Sequence, residues 1–172
     1  TMNPHKYYVP TGVGEKFINA VFGGNYFISL YSAANGVGKT CLGANMLANL
    51  FWPENNKFFQ QDLMKRWPFP KKARIVTDPT TILSTIIPEL KAWFPAGRYK
   101  IDKMGKNYEY RWTTDTGWQF DIMSYDQDPK EFESVTLGLV WLDEPPPETI
   151  YKACVSRLRR GGLMFITATP LT

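Results

Sequence analysis

The sequence predicts an α/β domain with a mostly parallel central sheet covered by helices, on three observations. Apolar runs of strand length alternate with longer helix-like stretches. A glycine-rich segment, Ala33–Thr40, joins the first such run to a helix, and the fully apolar run Leu137–Leu142 ends abruptly in Asp143-Glu144. Composition agrees: 172 residues with 44% hydrophobic and 21% charged side chains support one core over residues 1–172 without metal or disulfide staples.

The elements follow in chain order. Residues 1–24 are mixed and rich in turn formers, and Tyr26–Ser32 reads as a short buried strand. Lys39–Leu50 reads as a helix with Leu42, Met46 and Leu50 on one face, stopped by Pro53. Residues 54–72 form an irregular or partly helical insertion. Arg74–Thr77 is a second strand, and Asp78-Pro79 turns into a helix over Thr80–Phe94, interrupted at Pro88. Between Tyr108 and Tyr125 the pattern alternates, with Asp115-Thr116-Gly117 as a hairpin turn, so a local antiparallel addition is expected. After the strand Leu137–Leu142, Pro145-Pro146-Pro147 starts a helix to Arg160 that faces the core with Ile150, Cys154 and Leu158. Gly161-Gly162 ends it, and Leu163–Thr167 is the last strand. No repeat, low-complexity tract or linker divides the chain.

Several chemistries are excluded. With His5 as its one histidine, the chain cannot build a serine–histidine triad or histidine-rich zinc site unless His5 itself serves. Cys41 and Cys154 form no Cys-x-x-Cys pair, which favours a reducing compartment. No apolar run approaches a membrane span, and the first residues lack a signal-peptide core; Thr1 ahead of Met2 reads as a cloning remnant. A net charge of +4 permits a polyanionic partner without requiring one.

The segment Ala33-Ala34-Asn35-Gly36-Val37-Gly38-Lys39-Thr40 has the spacing of a phosphate-binding loop, with Ala33 where glycine is commoner. Gly36 and Gly38 let successive backbone N–H groups turn toward phosphate oxygens, and the helix N-terminus adds a positive dipole end. The expected nucleotide-binding residues are therefore Ala34, Asn35, Gly36, Val37, Gly38, Lys39, Thr40 and Cys41. Lys39 would bridge the β- and γ-phosphates, and Thr40 would take a Mg²⁺ position.

Asp143-Glu144, at the end of an apolar strand, would face the same crevice. Asp143 would hold Mg²⁺ through its water shell, and Glu144 would orient and polarise the water that attacks the γ-phosphate. Glu144 and Lys39 are thus the catalytic candidates. A guanine-reading Asn-Lys-x-Asp is lacking, since Asn56-Lys57-Phe58-Phe59 fails it, and no Leu-Ser-Gly-Gly-Gln signature occurs. ATP hydrolysis coupled to motion is the leading class. In Thr167-Ala168-Thr169-Pro170 two hydroxyls at a strand end would sense the γ-phosphate or its water; the same residues also serve as an ordinary strand end with a proline stop.

Together these residues resemble the ATPase domain of the large terminase subunit of tailed bacteriophages, the motor that packages DNA into capsids. The resemblance rests on Ala34–Thr40, Ser124-Tyr125-Asp126-Gln127, Val140–Pro146, Ile150-Tyr151, and Gly162 through Thr167-Ala168-Thr169-Pro170-Leu171, in family order. It implies a P-loop NTPase fold of the RecA-like, catalytic-glutamate class, with ATP and Mg²⁺ as cofactors. It casts Asp143 as the metal aspartate, Glu144 as catalytic and Thr167-Ala168-Thr169 as the coupling motif. It also implies double-stranded DNA, the procapsid portal protein and the small terminase subunit as partners, a ring of subunits, no membrane, and the host cytoplasm. Large terminases carry a C-terminal nuclease domain; this chain has no later acidic cluster, so it reads as the N-terminal part of a longer protein, without nuclease activity.

Two departures bear on the arginine finger. The family often has an arginine between Ser-Tyr-Asp-Gln and the acidic strand, where the nearest basic residue here is Lys130, and often a basic residue within the loop, where Ala34, Asn35 and Val37 stand. Lys130, Arg157 and Arg160 are the finger candidates; Arg157 and Arg160 would share a helix face, and basic residues at a helix end also complement its dipole. Phe17, Phe22 and Tyr26 are candidates for stacking on adenine. Lys65-Arg66-Trp67, Lys71-Lys72, Arg98–Lys103, Lys106 and Arg111 interleave charge with aromatics, as a DNA-contacting or a merely solvated face does. The alternatives are the N-terminal RecA-like half of a helicase, against which the prolines after Asp143-Glu144 count, and a non-hydrolysing nucleotide-dependent assembly module, against which Glu144 counts.

Overall fold

Runs of apolar and β-branched residues form a mixed sheet with helices on both faces of its centre. In the computed structural model, which describes residues 2–34, 38–104, 110–132 and 135–170, the seven strands are β1 (Ile28–Ser32), β2 (Lys72–Thr77), β3 (Tyr99–Lys103), β4 (Tyr110–Thr114), β5 (Gln119–Ser124), β6 (Leu139–Asp143) and β7 (Leu163–Ala168). Their order is β1-β7-β6-β2-β5-β4-β3. The first five in that order are parallel, and β4 and β3 add antiparallel at one edge. Every residue of β6 is buried, as a strand covered on both faces requires. The register pairs Asp143 with Thr167 and Tyr31 with Thr167, so three strand ends finish level.

One face of the sheet carries α1 (Gly12–Phe22), α2 (Lys39–Phe51) and α5 (Ile87–Trp93) over an aromatic core that includes Phe51, Phe94, Trp112, Phe120, Trp141 and Phe165. The other carries α6 (Glu148–Arg157) over Val140, Leu142, Ile150, Cys154 and Met164. Helix α2 is buried on every side from Leu42 to Phe51, not on the single face its leucine spacing implies. The Asn45 and Asn49 side-chain N–H groups donate to the Cys41, Asn45 and His5 carbonyls. Gly43 is the point of closest approach to the sheet: a Cβ there would lie 2.3 Å from the Trp141 ring.

The N-terminal segment is more ordered than its turn-rich composition implies. Thr11 accepts a hydrogen bond from the Gly14 amide and caps α1, which buries Phe17, Ile18, Val21 and Phe22. Before it, a 3₁₀ turn over Pro4–Tyr7 sinks His5 into the core, where Nε2–H donates to the Trp52 carbonyl at 2.9 Å. The insertion contains one short helix, α3 (Asp62–Lys65).

Pro88 does not break its helix. α4 (Pro79–Thr81) passes through a π turn at Ile82–Ile86 into α5, and the widened turn relieves the clash that a proline ring imposes on the preceding turn. The basic stretch after Arg98 contains β3, an unanticipated strand. Tyr99 and Ile101 lean inward while Lys100, Asp102 and Lys103 stay exposed, charges that keep a sheet edge from pairing with another chain. Helix α6 is shorter than expected: Pro147 is its N-cap, and Arg160 lies beyond its end, so Arg157 and Arg160 do not share a helix face.

Candidate functional site

The C-terminal ends of β1, β6 and β7 meet the N-terminus of α2 around a cavity of about 420 Å³, lined by Gly38, Lys39, Thr40, Cys41, Thr81, Thr85, Glu89, Asp143 and Glu144. Strand β1 leads through Ala33 and Ala34 into the glycine-rich loop; Asn35, Gly36 and Val37 lie outside the described residues, as do Lys106, Tyr108 and Leu171. Gly38 holds φ +74°, a left-handed conformation that suits glycine, and caps α2 without any side-chain bond, leaving the helix N-terminus open to the cavity.

Lys39 is the first residue of α2 and only 8% exposed. Its ammonium donates to the Ala33 carbonyl at 3.0 Å and the Thr169 hydroxyl at 2.6 Å, and stands 3.5 Å from Glu144 Oε1. Glu144 is held from the other side by Thr169, whose hydroxyl donates to Oε1 at 2.7 Å and whose amide bonds both carboxylate oxygens. Among the described residues Glu144 is the one non-glycine with positive φ, at +63°. The strained turn swings its carboxylate back over the helix N-terminus. Desolvation raises the Glu144 pKa, but the Thr169 bonds and the Lys39 charge outweigh it and hold the carboxyl below the usual range.

Asp143 is 5% exposed and accepts from two buried hydroxyls, Thr77 at 3.0 Å and Thr167 at 2.9 Å. The Thr167 oxygen in turn accepts from the Trp141 indole at 2.9 Å. Burial pushes the Asp143 carboxyl above its usual range despite these bonds. Among the described residues no group of three or more His, Cys, Asp and Glu side chains is placed to hold a metal. One buried carboxylate on the same cavity as the Thr40 hydroxyl instead suits Mg²⁺, which keeps waters and takes phosphate oxygens.

Ser124-Tyr125-Asp126-Gln127 has a structural task that its sequence did not disclose. The Ser124 hydroxyl accepts from the Asp126 amide, Gln127 Oε1 accepts from the Ser124 amide, and this turn presents Tyr125, whose hydroxyl donates to the Glu144 carbonyl at 2.9 Å. Thr81, Thr85 and Glu89 also went unrecognised; their spacing of four on the helix packed beside α2 was the available signal.

Other expected residues lie elsewhere. Phe17 and Phe22 are core residues, closed to a ligand, while Tyr26 is 59% exposed away from the loop cavity's lining. A second cavity of about 180 Å³, lined by Tyr8, Val9, Thr11, Gly14 and Tyr31, shares Gly38, Cys41 and the α2 start with the first. The Arg157 carbonyl bonds the Leu137 amide ahead of β6, so Arg157 and the following Arg160 sit at the opposite end of the sheet from this chain's own cavity. Lys130 is exposed and follows the β5 end that carries Tyr125. Of the basic and aromatic clusters, Arg98 is paired with Glu54 and Asp115, and the half-buried Trp67 packs on Phe69 and Trp118.

No protein-family model and no curated protein sequence matches the chain. Solved structures do. The large terminase of the HK97 bacteriophage superposes with a TM-score of 0.67 and 16% identity over 94% of this chain and 33% of its own. The ATPase domain of the Thermus phage P74-26 large terminase gives 0.62 and 16% over 99% of this chain and 71% of its own. A large terminase from a thermophilic bacteriophage gives 0.65 and 11% over 94% of this chain and 40% of its own. The fold is that of the large-terminase ATPase domains. Two further structures of that last terminase contain ADP and ATP-γ-S. The chain thus spans well under half the length of the HK97 protein and of this last terminase. Among the described residues no helix is long and apolar enough to cross a membrane.

Proposed function

We propose that this chain hydrolyses ATP with Mg²⁺ and, as part of a terminase motor, drives double-stranded DNA into a procapsid. The observation that carries the proposal is the convergence of Lys39, Thr40, Asp143, Glu144 and Thr169 on one cavity at the N-terminus of α2. Terminase structures of the same fold, two of them holding ADP or ATP-γ-S, support it. DNA, the portal protein, the small terminase subunit and a ring of copies belong to the same proposal, as does a host-cytoplasmic location.

Lys39 leaves Glu144 for the β- and γ-phosphates, while Gly38 and the α2 amides receive phosphate oxygens. Asp143, with Thr40, would hold Mg²⁺, which would supply charge neutralisation at the phosphates. Glu144, still anchored by the Thr169 amide, orients a water toward the γ-phosphorus and accepts its proton. The new oxygen–phosphorus bond forms as the bond to the β–γ bridging oxygen breaks, giving ADP and phosphate. Thr169 touches both Lys39 and Glu144, and Thr167 ties Asp143 to β7, so loss of the γ-phosphate reaches β7 through two hydroxyls. The base takes the second cavity, among Tyr8, Val9 and Tyr31, in place of the buried Phe17 and Phe22. Lys130 and a neighbour's Arg157 or Arg160 are the finger candidates that a ring would bring to this site.

ATPase activity measured with and without duplex DNA and portal-bearing capsids tests the proposal. Stimulation by the two together is the expected result. Stimulation by strand-separation substrates alone would overturn the packaging assignment in favour of a helicase half.

A further inference from the structure

Glu89 is a third carboxylate on the wall of the loop cavity, and the hydrolytic chemistry gives it no task. It lies on α5 in line with Thr81 and Thr85. A carboxylate facing bound phosphates repels them, so its place along the cavity decides what it can do.

Glu89 lines the first cavity, and the second adjoins it at Gly38 and Cys41. Lys39, Thr169 and Glu144 mark the end of the first cavity where the last phosphate belongs. Cys41, two residues further along α2, is shared by both cavities, and the nearby Glu89 charge, after burial, helps to raise the pKa of its thiol. The Glu89 Oε1 atom accepts from the Trp93 indole at 2.9 Å, and the Trp93 ring packs edge-on against Tyr8, which lines the second cavity, with centroids 5.5 Å apart. Trp93 therefore holds the carboxylate at a fixed orientation beside the aromatic pocket. A nucleotide with its triphosphate at Lys39 and its base in the cavity lined by Tyr8 and Tyr31 would carry its sugar past Cys41, on the side of the first cavity that Glu89 lines.

At that position the useful partner of a carboxylate is a hydroxyl donor. Resting on the nucleotide assignment above, we propose that Glu89 accepts hydrogen bonds from the ribose hydroxyls and makes the site selective for ribonucleotides over deoxyribonucleotides. A carboxylate receiving ribose hydroxyls is the same chemistry that dinucleotide-binding folds use. One Oε1 lone pair is taken by Trp93, and the remaining acceptor positions of the carboxylate serve the sugar.

Equilibrium binding of ATP, 2′-deoxy-ATP, 3′-deoxy-ATP and inorganic triphosphate to the wild-type chain, Glu89→Ala and Glu89→Gln tests this. Glutamine keeps an acceptor for Trp93, so its thermal melting reports whether the fold survives when alanine perturbs it. In the wild type at least one deoxy analogue should bind about tenfold more weakly than ATP, the loss of one hydrogen bond to a charged group. Glu89→Ala should weaken ATP more than either deoxy analogue, bring the three to a common affinity and leave inorganic triphosphate unchanged. Equal binding of ATP and both analogues by the wild type overturns the inference while leaving the nucleotide assignment standing. So does an equal loss of all three in Glu89→Ala, the mark of a structural role through Trp93. A general tightening in Glu89→Gln that includes triphosphate also overturns it, as the mark of phosphate repulsion alone. If the wild type binds no ATP, the nucleotide assignment falls and this inference with it.

Discussion

Replacing Thr167 with valine removes one oxygen from the centre of the site and changes almost nothing else, since the two side chains have the same shape. Thr167 is fully buried; its hydroxyl accepts from the Trp141 indole and donates to Asp143 Oδ1, both at 2.9 Å. Valine leaves a buried N–H without its acceptor and strips a buried carboxylate of one of its two hydroxyl donors. An unsatisfied buried polar group costs about 1–3 kcal/mol, and more when charged. Asp143 keeps the Thr77 bond and borders the cavity, so its share belongs at the lower end. The sum is about 2–4 kcal/mol of lost stability. Thr167→Ser restores both bonds at the cost of one buried methyl, about 1 kcal/mol. Urea unfolding of the three proteins measures these differences. A valine variant within about 0.5 kcal/mol of wild type, the range of featureless substitutions, would refute the Trp141–Thr167–Asp143 chain as a stabilising network. A serine variant as damaged as valine would refute it equally.

Three further predictions follow from separate parts of the molecule. Gly43→Ala should lower the melting temperature by a net loss of about 1–2 kcal/mol, because the added methyl meets the rigid Trp141 ring and outweighs the helix-propensity gain; a stabilised variant would show that the α2–sheet contact is looser than described. Burial holds the His5 pKa below its ordinary 6.5 despite the Trp52 carbonyl, so unfolding takes up a proton. Stability should be full above that value and fall as pH drops below it, with a slope of up to about 1.4 kcal/mol per pH unit; urea unfolding of the wild type and His5→Asn between neutral and mildly acidic pH should show the extra slope only in the wild type. Thr169→Val removes the hydroxyl shared by Lys39 and Glu144 while the backbone amide still holds the carboxylate. With Glu144 38% exposed, the low end of a charge-assisted bond applies, and kcat should fall roughly tenfold with little change in ATP affinity; an unchanged kcat would remove Thr169 from the catalytic arrangement.

The sequence disclosed the fold best where local pattern and turn chemistry agree. β6 reads as an unbroken apolar run because both of its faces are covered, and the β4–β5 hairpin carries its turn in Asp115-Thr116-Gly117. Helix α1 was hidden by Gly12 and Gly14, poor helix formers, although Thr11 and the Phe17-Ile18-Val21-Phe22 spacing carried the opposite signal. β3 was hidden by its charges, which on an edge strand are protective and not a sign of a loop. Helix α2 misled differently: an apparent stripe of Leu42, Met46 and Leu50 became a helix buried all round, with asparagines that donate to backbone carbonyls.

Lys39, Asp143 and Glu144, which line one cavity, stood out in the sequence because the proposed chemistry calls for fixed residue types at the ends of particular elements. The Thr81–Thr85–Glu89 wall and the Tyr8 cavity did not, because they arise where separate elements pack together and no local motif encodes that meeting. The left-handed Glu144 and its Tyr125 prop likewise depend on the register between distant strands.

In the proposed reaction Glu144 performs chemistry on a nucleotide held by Lys39. Single-turnover hydrolysis and ATP binding of Glu144→Gln beside wild type, both with duplex DNA and portal-bearing capsids present, test it most directly. Binding is expected to be kept or tightened, since Lys39 loses its carboxylate partner, while hydrolysis falls at least about a hundredfold, the contribution of a general base. Hydrolysis by Glu144→Gln at the wild-type rate would contradict it.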